Sequence, residues 1–398
     1  MEKIECMRRA IELARLGEGW TNPNPLVGAV IVRDGIIIGE GFHHRYGEQH
    51  AERDALKNCY ERGNNPAGAE IYVTLEPCCH FGKQPPCTHA LVEAGIGRVI
   101  VGSRDPNTLV HGKGNAYLRE NGIEVEEDFL REECDALNEI FFHYITTKMP
   151  YVALKYAMTM DGKIATCTGE SKWITGEKSR EYVHVLRNKY AAIMCGIGTV
   201  LADDPMLNCR FSEAEKKSDC KSSFELYGAS NPLRIVCDSK LRIPENCRLV
   251  QTAKEIPVIV ACCGEYVQSE NMMGKIQRLE KLGVEVVMMP CNADGHADVS
   301  VLFEELGKRK IDSVLVEGGA DLNYGVLKSG NVNKIFAFIA PKIFGGGAGA
   351  KSPVGGIGIE HPSDCFAFEI EKMQKIGDDV LIEYKRKVNG KYNGFGNY

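Results

Sequence analysis

His50-Ala51-Glu52, followed by Pro77-Cys78 and Pro86-Cys87, constrains the fold of this chain more than any other feature. One imidazole and two thiolates can hold a single ion only if three separate segments are folded to one point. A structural zinc site closes with four protein ligands, whereas a catalytic one uses three and leaves a position for water. Bound zinc lowers the pKa of that water toward neutrality. Glu52 is then a carboxylate with no ligand duty, able to move protons. Residues two apart on an ideal helix point about 200° away from each other. His50 and Glu52 therefore converge only if His50 sits at the very start of a helix, where the backbone is not yet helical.

The usual signature of a zinc-dependent nucleobase deaminase is H-x-E followed by P-C-x-x-C. This chain keeps both halves but stretches the cysteine pair to Cys78 and Cys87. Cys87, just after Pro85-Pro86, reads as the head of a helix, and a helix N-terminus favours thiolate over thiol. The competing reading is a structural zinc with Cys79 or His80 as fourth ligand. Adjacent Cys78-Cys79 rarely chelate one ion together, and a closed site gives Glu52 no work. Cys6, Cys59 and Cys134 fall on predicted helices and read as core or surface thiols.

A chain of 398 residues is too long for one ordinary core, so two domains are the default expectation, with three as the alternative. Its 44% hydrophobic and 26% charged residues fit a soluble globular protein. No run of about 18 apolar residues offers a membrane span, and the N-terminus lacks a signal-peptide core. With no export signal, the 16 scattered cysteines read as reduced thiols of a cytoplasmic protein, two of them on the metal. A net charge of −6 argues against nucleic-acid binding, which normally shows a basic face.

Along the chain, strands alternate with helices, which implies an α/β protein with helices packed on its sheets. The pattern predicts a helix at 5–16 and strands at 26–32 and 36–39, joined across the turn Arg33-Asp34-Gly35. A helix at 50–60, a strand at 69–75, a helix at 85–94, a strand at 98–102 and a helix at 113–120 follow. One long helix is expected at 131–147, broken by Met149-Pro150, which sets the domain boundary. Beyond it, strands are predicted at 151–155, 191–195, 234–237, 257–261, 284–289, 313–316, 334–339 and 380–384. Helices at 177–190 and 299–309 lie between them. Phe211 to Ser230 is polar and patternless and reads as a surface loop. The division is 1–149, 150–388 and a frayed tail at 389–398, rich in Gly and Asn.

At these residues the chain resembles a known family. Asn22-Pro23-Asn24-Pro25-Leu26-Val27-Gly28, His50-Ala51-Glu52, Thr74-Leu75-Glu76-Pro77-Cys78 and Gly82-Lys83-Gln84-Pro85-Pro86-Cys87 resemble the bifunctional riboflavin-biosynthesis deaminase/reductases. The resemblance continues through Leu154-Lys155, Asp161-Gly162-Lys163, Gly169 to Thr175, Gly198 to Pro205, Val316-Glu317-Gly318-Gly319 and Ile339-Ala340-Pro341-Lys342. It implies a cytidine-deaminase-like zinc domain followed by a dihydrofolate-reductase-like domain. It also implies one zinc ion per chain, NADPH, a small phosphorylated pyrimidine substrate and a homo-oligomer. The first domain would deaminate a diaminopyrimidinone carrying ribosylamine 5′-phosphate; the second would reduce the ribosyl chain to ribityl. By the same resemblance Asn24, His43, His80 and Lys83 line the deaminase pocket, with Lys83 toward the phosphate. Taken alone, His43 and His80 would read as solvated loop histidines.

In the second half the residues themselves say less, because in hydride transfer the nicotinamide carries the chemistry and the protein orients it. Val314 to Ala320 reads as a buried strand, then glycines, then a helix from about Leu322. Such a junction lets backbone N–H groups approach a phosphate, but it is not a G-x-G-x-x-G fingerprint. The resemblance assigns Ala157, Trp173, Thr199, Asp203, Ser239 and Gly319-Ala320-Asp321-Leu322-Asn323-Tyr324-Gly325 to the cofactor. It assigns Ser171, Arg187, Leu207, Arg210 and Glu317 to the substrate, with Lys155 and Glu317 nearest the reacting carbon. Arg187 and Arg210 suit a phosphate through the guanidinium fork. Trp173 reads equally as an ordinary buried aromatic, and Gly345-Gly346-Gly347 as a mobile loop or a further turn. Two other functions compete: a deaminase of another base with an inert second domain, and a zinc-stabilised nucleotide-binding regulator.

Overall fold

Asp34 and Gly35 both take positive φ, 51° and 73°, which is what a tight hairpin with right-twisted strands requires. They join β1 (Gly28–Arg33) to β2 (Ile36–Phe42) in antiparallel register, Arg33 opposite Ile36. The computed structural model describes residues 1–81, 85–108, 110–211, 223–346 and 350–387. The chain forms two units, Met1–Met149 with Glu213–Ser230, and Pro150–Ser212 with Asn231–Tyr398. The expected tail at 389–398 lies outside the described residues.

In the first unit, α1 (Lys3–Arg15) precedes the hairpin and α2 (Ala51–Glu61) follows it. Then come β3 (Glu70–Leu75), α3 (Cys87–Glu93), β4 (Arg98–Ser103), α4 (Lys113–Glu120) and β5 (Glu124–Glu126). The five strands lie in the order β2-β1-β3-β4-β5; β1 pairs antiparallel to both neighbours, and β3, β4 and β5 run parallel. Alternation along β1 serves two cores. Ala29 and Ile31 join Ala51, Ala55, Leu56 and Cys59 of α2 on one face. Val30 and Val32 join Met7, Ala10 and Ala14 of α1 on the other. Gly28 marks where α1 comes closest: a Cβ there would lie 1.9 Å from the Ala10 carbonyl oxygen.

The single helix expected at 131–147 is two, α5 (Arg131–Asp135) and α6 (Glu139–Thr147). Asn138 breaks the run at φ −117°, ψ 23°. Its side chain is the reason: Oδ1 accepts from Leu26 N at 2.8 Å and Nδ2 donates to Leu26 O at 2.9 Å. A tertiary demand for both backbone groups of Leu26 thus overrides local helix periodicity. β5 was not anticipated; it is three residues long and acidic, with Arg98 paired to Glu124 and Glu126.

The second unit is built on β6 (Tyr151–Thr159), followed by α7 (Glu177–Lys189), β7 (Ala192–Gly196), α8 (Ile197–Asp203), α9 (Ser223–Tyr227), β8 (Leu233–Cys237) and α10 (Arg248–Gln251). Of these, α9 belongs to the first unit. The chain continues through β9 (Val258–Cys263), α11 (Glu270–Lys281), β10 (Val284–Met289), α12 (Val299–Lys308), β11 (Ser313–Val316), α13 (Ala320–Lys328), β12 (Val332–Ala340), β13 (Phe368–Ile376) and β14 (Asp379–Arg386). Nine strands lie in the order β10-β9-β8-β7-β11-β6-β12-β14-β13. Pairing is parallel as far as β12 and antiparallel from there to β14 and β13. Every β11 residue is buried, as expected of a central parallel strand. Most of β13 is exposed, so burial imposes no core pattern on it and the sequence did not reveal it.

The loop expected over 211–230 is corrected at its end, where residues 223–227 form α9; residues 212–222 lie outside the described residues. Every described cysteine is a free thiol. No helix among the described residues is long and apolar enough to cross a membrane.

Candidate active sites

His50 is the residue before α2 and is extended, φ −76°, ψ 159°. The helix begins only at Ala51, so His50 escapes the angular conflict that ideal helix geometry would impose on it and Glu52. Cys78 follows β3 after Glu76-Pro77, and Cys87 is the first residue of α3 behind Pro86. The His50 Nδ1 lies 3.4 Å from Cys78 Sγ and 3.3 Å from Cys87 Sγ. All three ligand atoms fall within 4.8 Å of one another. A tetrahedral ion with Zn–S of about 2.3 Å and Zn–N of about 2.0 Å sets such ligands roughly 3.5–3.8 Å apart. The residues therefore fit zinc. Neither Cys79 nor His80 joins this group, which holds three ligands among the described residues.

Hydrogen bonding to Cys87 and His50 outweighs burial and brings the Cys78 thiol down to about 4. Cys87 moves the other way, held well above its ordinary value by the Cys78 thiolate and by burial. Two thiols that share a proton beside an imidazole suit a divalent cation, whose binding releases protons. Glu52 is 3% exposed. Burial first, then the Cys78 charge, raises its carboxyl above the ordinary value, with His50 opposing.

His43 is buried and neutral. Its Nδ1–H donates to the Gln49 carbonyl at 2.9 Å, so Nε2 accepts from Asn24 Nδ2 at 3.1 Å. Burial lowers its pKa to about 4. The ring stands edge-on to His50, with centroids 5.4 Å apart. His80 is half-buried, and its Nδ1 has no hydrogen-bond partner. Lys83 lies outside the described residues. Glu76 is a residue the sequence reading did not single out: its carboxylate accepts from Gly112 N and Gly114 N, both at 3.1 Å. These bonds tie the segment leading to Cys78 to the start of α4, and the only signal of Glu76 in the sequence is its place inside Leu75-Glu76-Pro77-Cys78.

In the second unit the structure gathers Lys155, Arg187 and Glu317. Arg187 donates from Nε to Glu317 Oε1 at 2.6 Å and from Nη2 to Oε2 at 2.8 Å, and Nη1 reaches the Asn208 carbonyl at 3.1 Å. Its fork is thus engaged by a carboxylate. Lys155 Nζ stands 3.7 Å from Glu317 Oε2. Burial pushes the Glu317 carboxyl up, but Arg187 and Lys155 prevail and hold it at about 2. Burial lowers Lys155, with Glu317 opposing and Arg187 assisting. Arg210 is exposed, and its backbone N–H donates to His184 Nδ1 at 3.2 Å. Leu207 is buried at φ 48°, and Ser171 is half-buried.

Gly318 and Gly319 take φ of 111° and 92° between β11 and α13, a backbone that glycine alone adopts readily. The helix starts at Ala320, two residues before the expected Leu322. Its first-turn N–H groups have no intrahelical partner, and a Cβ on Gly318 would meet nothing within 4 Å. The Thr199 hydroxyl of α8 comes within 3.8 Å of where a Gly319 Cβ would be. Open space above Gly318, just before a helix start, fits a phosphate-bearing dinucleotide. Asp203 pairs with Lys172 at 3.2 Å. Ser239 accepts from Ala297 N and Cys263 N. Ala157, on β6, pairs with Phe338. Of the stretch from Gly319 to Gly325, Asn323 is buried and donates to the Pro353 carbonyl at 2.7 Å, whereas Tyr324 bonds the Gly358 carbonyl. Trp173 is 64% exposed, so it is not the ordinary buried aromatic; Arg180 stacks 4.6 Å over its ring. Gly345 N–H is held by Asp161 at 2.8 Å, while Gly347 lies outside the described residues.

Comparison with known proteins places both halves. Residues 1–103 match the cytidine and deoxycytidylate deaminase zinc-binding region, and residues 150–382 match the RibD C-terminal domain. The chain is 50% identical over 385 residues to the riboflavin biosynthesis protein RibD of Actinobacillus pleuropneumoniae, covering 96% of this chain and 95% of that one. It is 38% identical over 387 residues to RibD of Escherichia coli strain K12, covering 96% and 99%. A Thermotoga maritima structure, a diaminohydroxyphosphoribosylaminopyrimidine deaminase/5-amino-6-(5-phosphoribosylamino)uracil reductase, superposes with a TM-score of 0.80 at 39% identity, covering 96% and 98%. Acinetobacter baumannii RibD, form 1, gives 0.81 at 34%, with the same coverage. The first half is a cytidine-deaminase-type zinc domain and the second a dihydrofolate-reductase-like reductase domain. With both halves matched in order along nearly the whole sequence, the chain belongs to the RibD family of riboflavin biosynthesis proteins.

Proposed function

We infer that this chain carries out two successive reactions on one phosphorylated pyrimidine. The first unit removes an amino group from 2,5-diamino-6-(5-phosphoribosylamino)pyrimidin-4(3H)-one by hydrolysis. The second reduces the ribosyl chain to ribityl with NADPH, giving 5-amino-6-(5-phosphoribitylamino)uracil. The functional division is residues 1–149 for deamination and 150–388 for reduction. The observation that carries the reading is a metal group of three protein ligands with a buried fourth residue, Glu52, beside it.

Zinc, when bound by His50, Cys78 and Cys87, acts as a Lewis acid that lowers the pKa of a water toward neutrality. Glu52, buried and raised above its ordinary pKa, is suited to relay both protons of the attacking water in turn, the first to the ring nitrogen and the second to the amino group, which then leaves as ammonia. Asn24 donates to His43, which leaves its Oδ1 to accept from the pyrimidine. In the second unit NADPH supplies the hydride, and the glycine pair at the α13 start, with Thr199, would hold it. Lys155, lowered from its ordinary pKa, is suited to protonate the sugar oxygen as its ring opens, while Glu317 keeps the negative charge. Arg187 is engaged by Glu317, so Arg210, exposed and anchored through His184, remains for the phosphate. Free thiols throughout the described residues support a reducing, cytoplasmic setting. The reading includes a homo-oligomeric assembly, which light scattering measures.

The test is mass spectrometry of the diaminopyrimidinone ribosylamine phosphate after incubation with purified protein, with and without NADPH. Exchange of an amino group for oxygen in both reactions, and two hydrogens gained only with NADPH, is expected. Deamination alone would overturn the reductase half, and no change in a zinc-loaded preparation would overturn both.

A further inference from the structure

Tyr227 closes α9, far along the chain from every deaminase motif, yet it lies in the first unit. Its ring meets Trp20 edge-on, with centroids 5.7 Å apart and planes at 61°. Its hydroxyl bonds His44 Nδ1. The Arg45 guanidinium covers both rings, 4.6 Å from Trp20 and 4.7 Å from Tyr227. These partners sit on two loops. Trp20 leads through Thr21, Asn22 and Pro23 to Asn24, and His44 and Arg45 directly follow His43. One backbone bond already ties the loops, Tyr46 N to Trp20 O at 3.1 Å.

The Trp20 Nε1 is buried without a hydrogen-bond partner, so stacking rather than hydrogen bonding orients the indole. His44 donates from Nε2 to the Asp54 carboxylate at 3.0 Å, which leaves Nδ1 to accept from the Tyr227 hydroxyl. Asp54 Oδ2 also accepts from Phe42 N at 3.1 Å. Tyr227 thereby grips the outer end of each loop, and the inner ends carry Asn24 and His43, themselves 3.1 Å apart. The ligands and Glu52 stand on or beside α2 and α3, whose positions rest on the first unit's own core.

We propose that Tyr227 is a positioning residue for deamination: encoded within the reductase half, it sets the spacing of the loops that present Asn24 and His43 to the pyrimidine. This rests on the deaminase reading above. Because Tyr227 acts on the residues that hold substrate and not on those that move protons, its loss weakens binding and spares the chemical step.

The experiment uses the full-length, zinc-loaded chain with Tyr227→Phe and Tyr227→Ala. Deamination is followed without NADPH, and reduction is followed separately on the deaminated substrate. Tyr227→Ala is expected to raise the deamination KM about tenfold with kcat held within about twofold. Tyr227→Phe, which keeps the ring beneath Arg45 and loses only the hydroxyl bond, is expected to raise it about threefold. Zinc content and both reduction constants stay unchanged. In a Trp173→Phe background Trp20 is the remaining indole of the chain's two, and Tyr227→Ala is expected to shift its emission to the red. An unchanged KM overturns the proposal even if the emission shifts, since the contact would then be structural only. Equal losses of deamination and reduction overturn it in favour of general destabilisation. A wild-type protein that fails to deaminate overturns the deaminase reading and this proposal together, an outcome distinct from deamination that ignores Tyr227.

Discussion

Arg187 meets Glu317 side-on, Nε to Oε1 at 2.6 Å and Nη2 to Oε2 at 2.8 Å, with Lys155 3.7 Å from the same carboxylate. The Glu317 side chain is 5% exposed and those of Arg187 and Lys155 are 13% and 17% exposed. One negative charge therefore serves two buried positive ones. Replacing it should be costly, because the partners stay buried without compensation.

Glu317→Gln is expected to destabilise the second unit by about 3–5 kcal/mol near neutral pH. The sign of the pH dependence follows from the depressed carboxyl. Its stabilisation is present above the ordinary value of 4.5 and is lost as pH falls toward about 2. The gap in Tm between wild type and variant should be constant above pH about 5 and close as pH drops below it. Thermal denaturation across that range checks it, and a gap that widens in acid contradicts it.

Glu52→Gln is expected to keep zinc at one equivalent while deamination falls by about 10²- to 10⁴-fold. The amide preserves the volume of the side chain and removes the group that titrates. Metal analysis of the purified variant, together with initial rates without NADPH, decides between this role and a packing role. Retained deamination would remove Glu52 from the proton path.

Stripping the metal with a chelator is expected to abolish deamination and leave reduction intact, because the three ligands all belong to the first unit. Adding zinc back should restore deamination. Loss of both activities would mean instead that the ion supports the whole fold.

Gly28→Ala is expected to cost about 3 kcal/mol or more, roughly a 6–12 °C fall in the Tm of a unit of this size. The added methyl would lie 1.9 Å from the Ala10 carbonyl oxygen and 2.8 Å from Ala14 N, both of them backbone atoms of α1. Helix and strand must separate to admit it. Calorimetry of the variant would show whether they do.

The metal ligands were legible because their chemistry is written in residue type and because prolines flank both cysteines. The requirement that His50 precede its helix followed from the pitch of an α-helix alone, and the extended backbone at His50 meets it. The alternating α/β pattern was legible for the same kind of reason, since buried strands such as β11 are uniformly apolar. What escaped depended on distant partners. Asn138 ends a helix because Leu26, more than a hundred residues earlier, engages its amide. Tyr227 falls in a polar stretch with no periodicity of its own, and its place is set by Trp20, His44 and Arg45. The pairing of Arg187 with Glu317 was not legible either, because residue type does not show which distant carboxylate a guanidinium meets. β13 escaped because it is largely exposed.

The contact between Gly28 and α1 divides the Asn22–Gly28 signature into two kinds of information. Asn24 is proposed to be there for what it presents to a ligand, whereas Gly28 is there because any side chain would drive a helix off its sheet. A descendant of this chain that had abandoned deamination would still need the glycine in order to fold. It could lose Glu52 and keep most of the motif by which it would be recognised. A match at Gly28 therefore reports shared architecture, and on the proposed mechanism residues such as Glu52 report that the reaction persists.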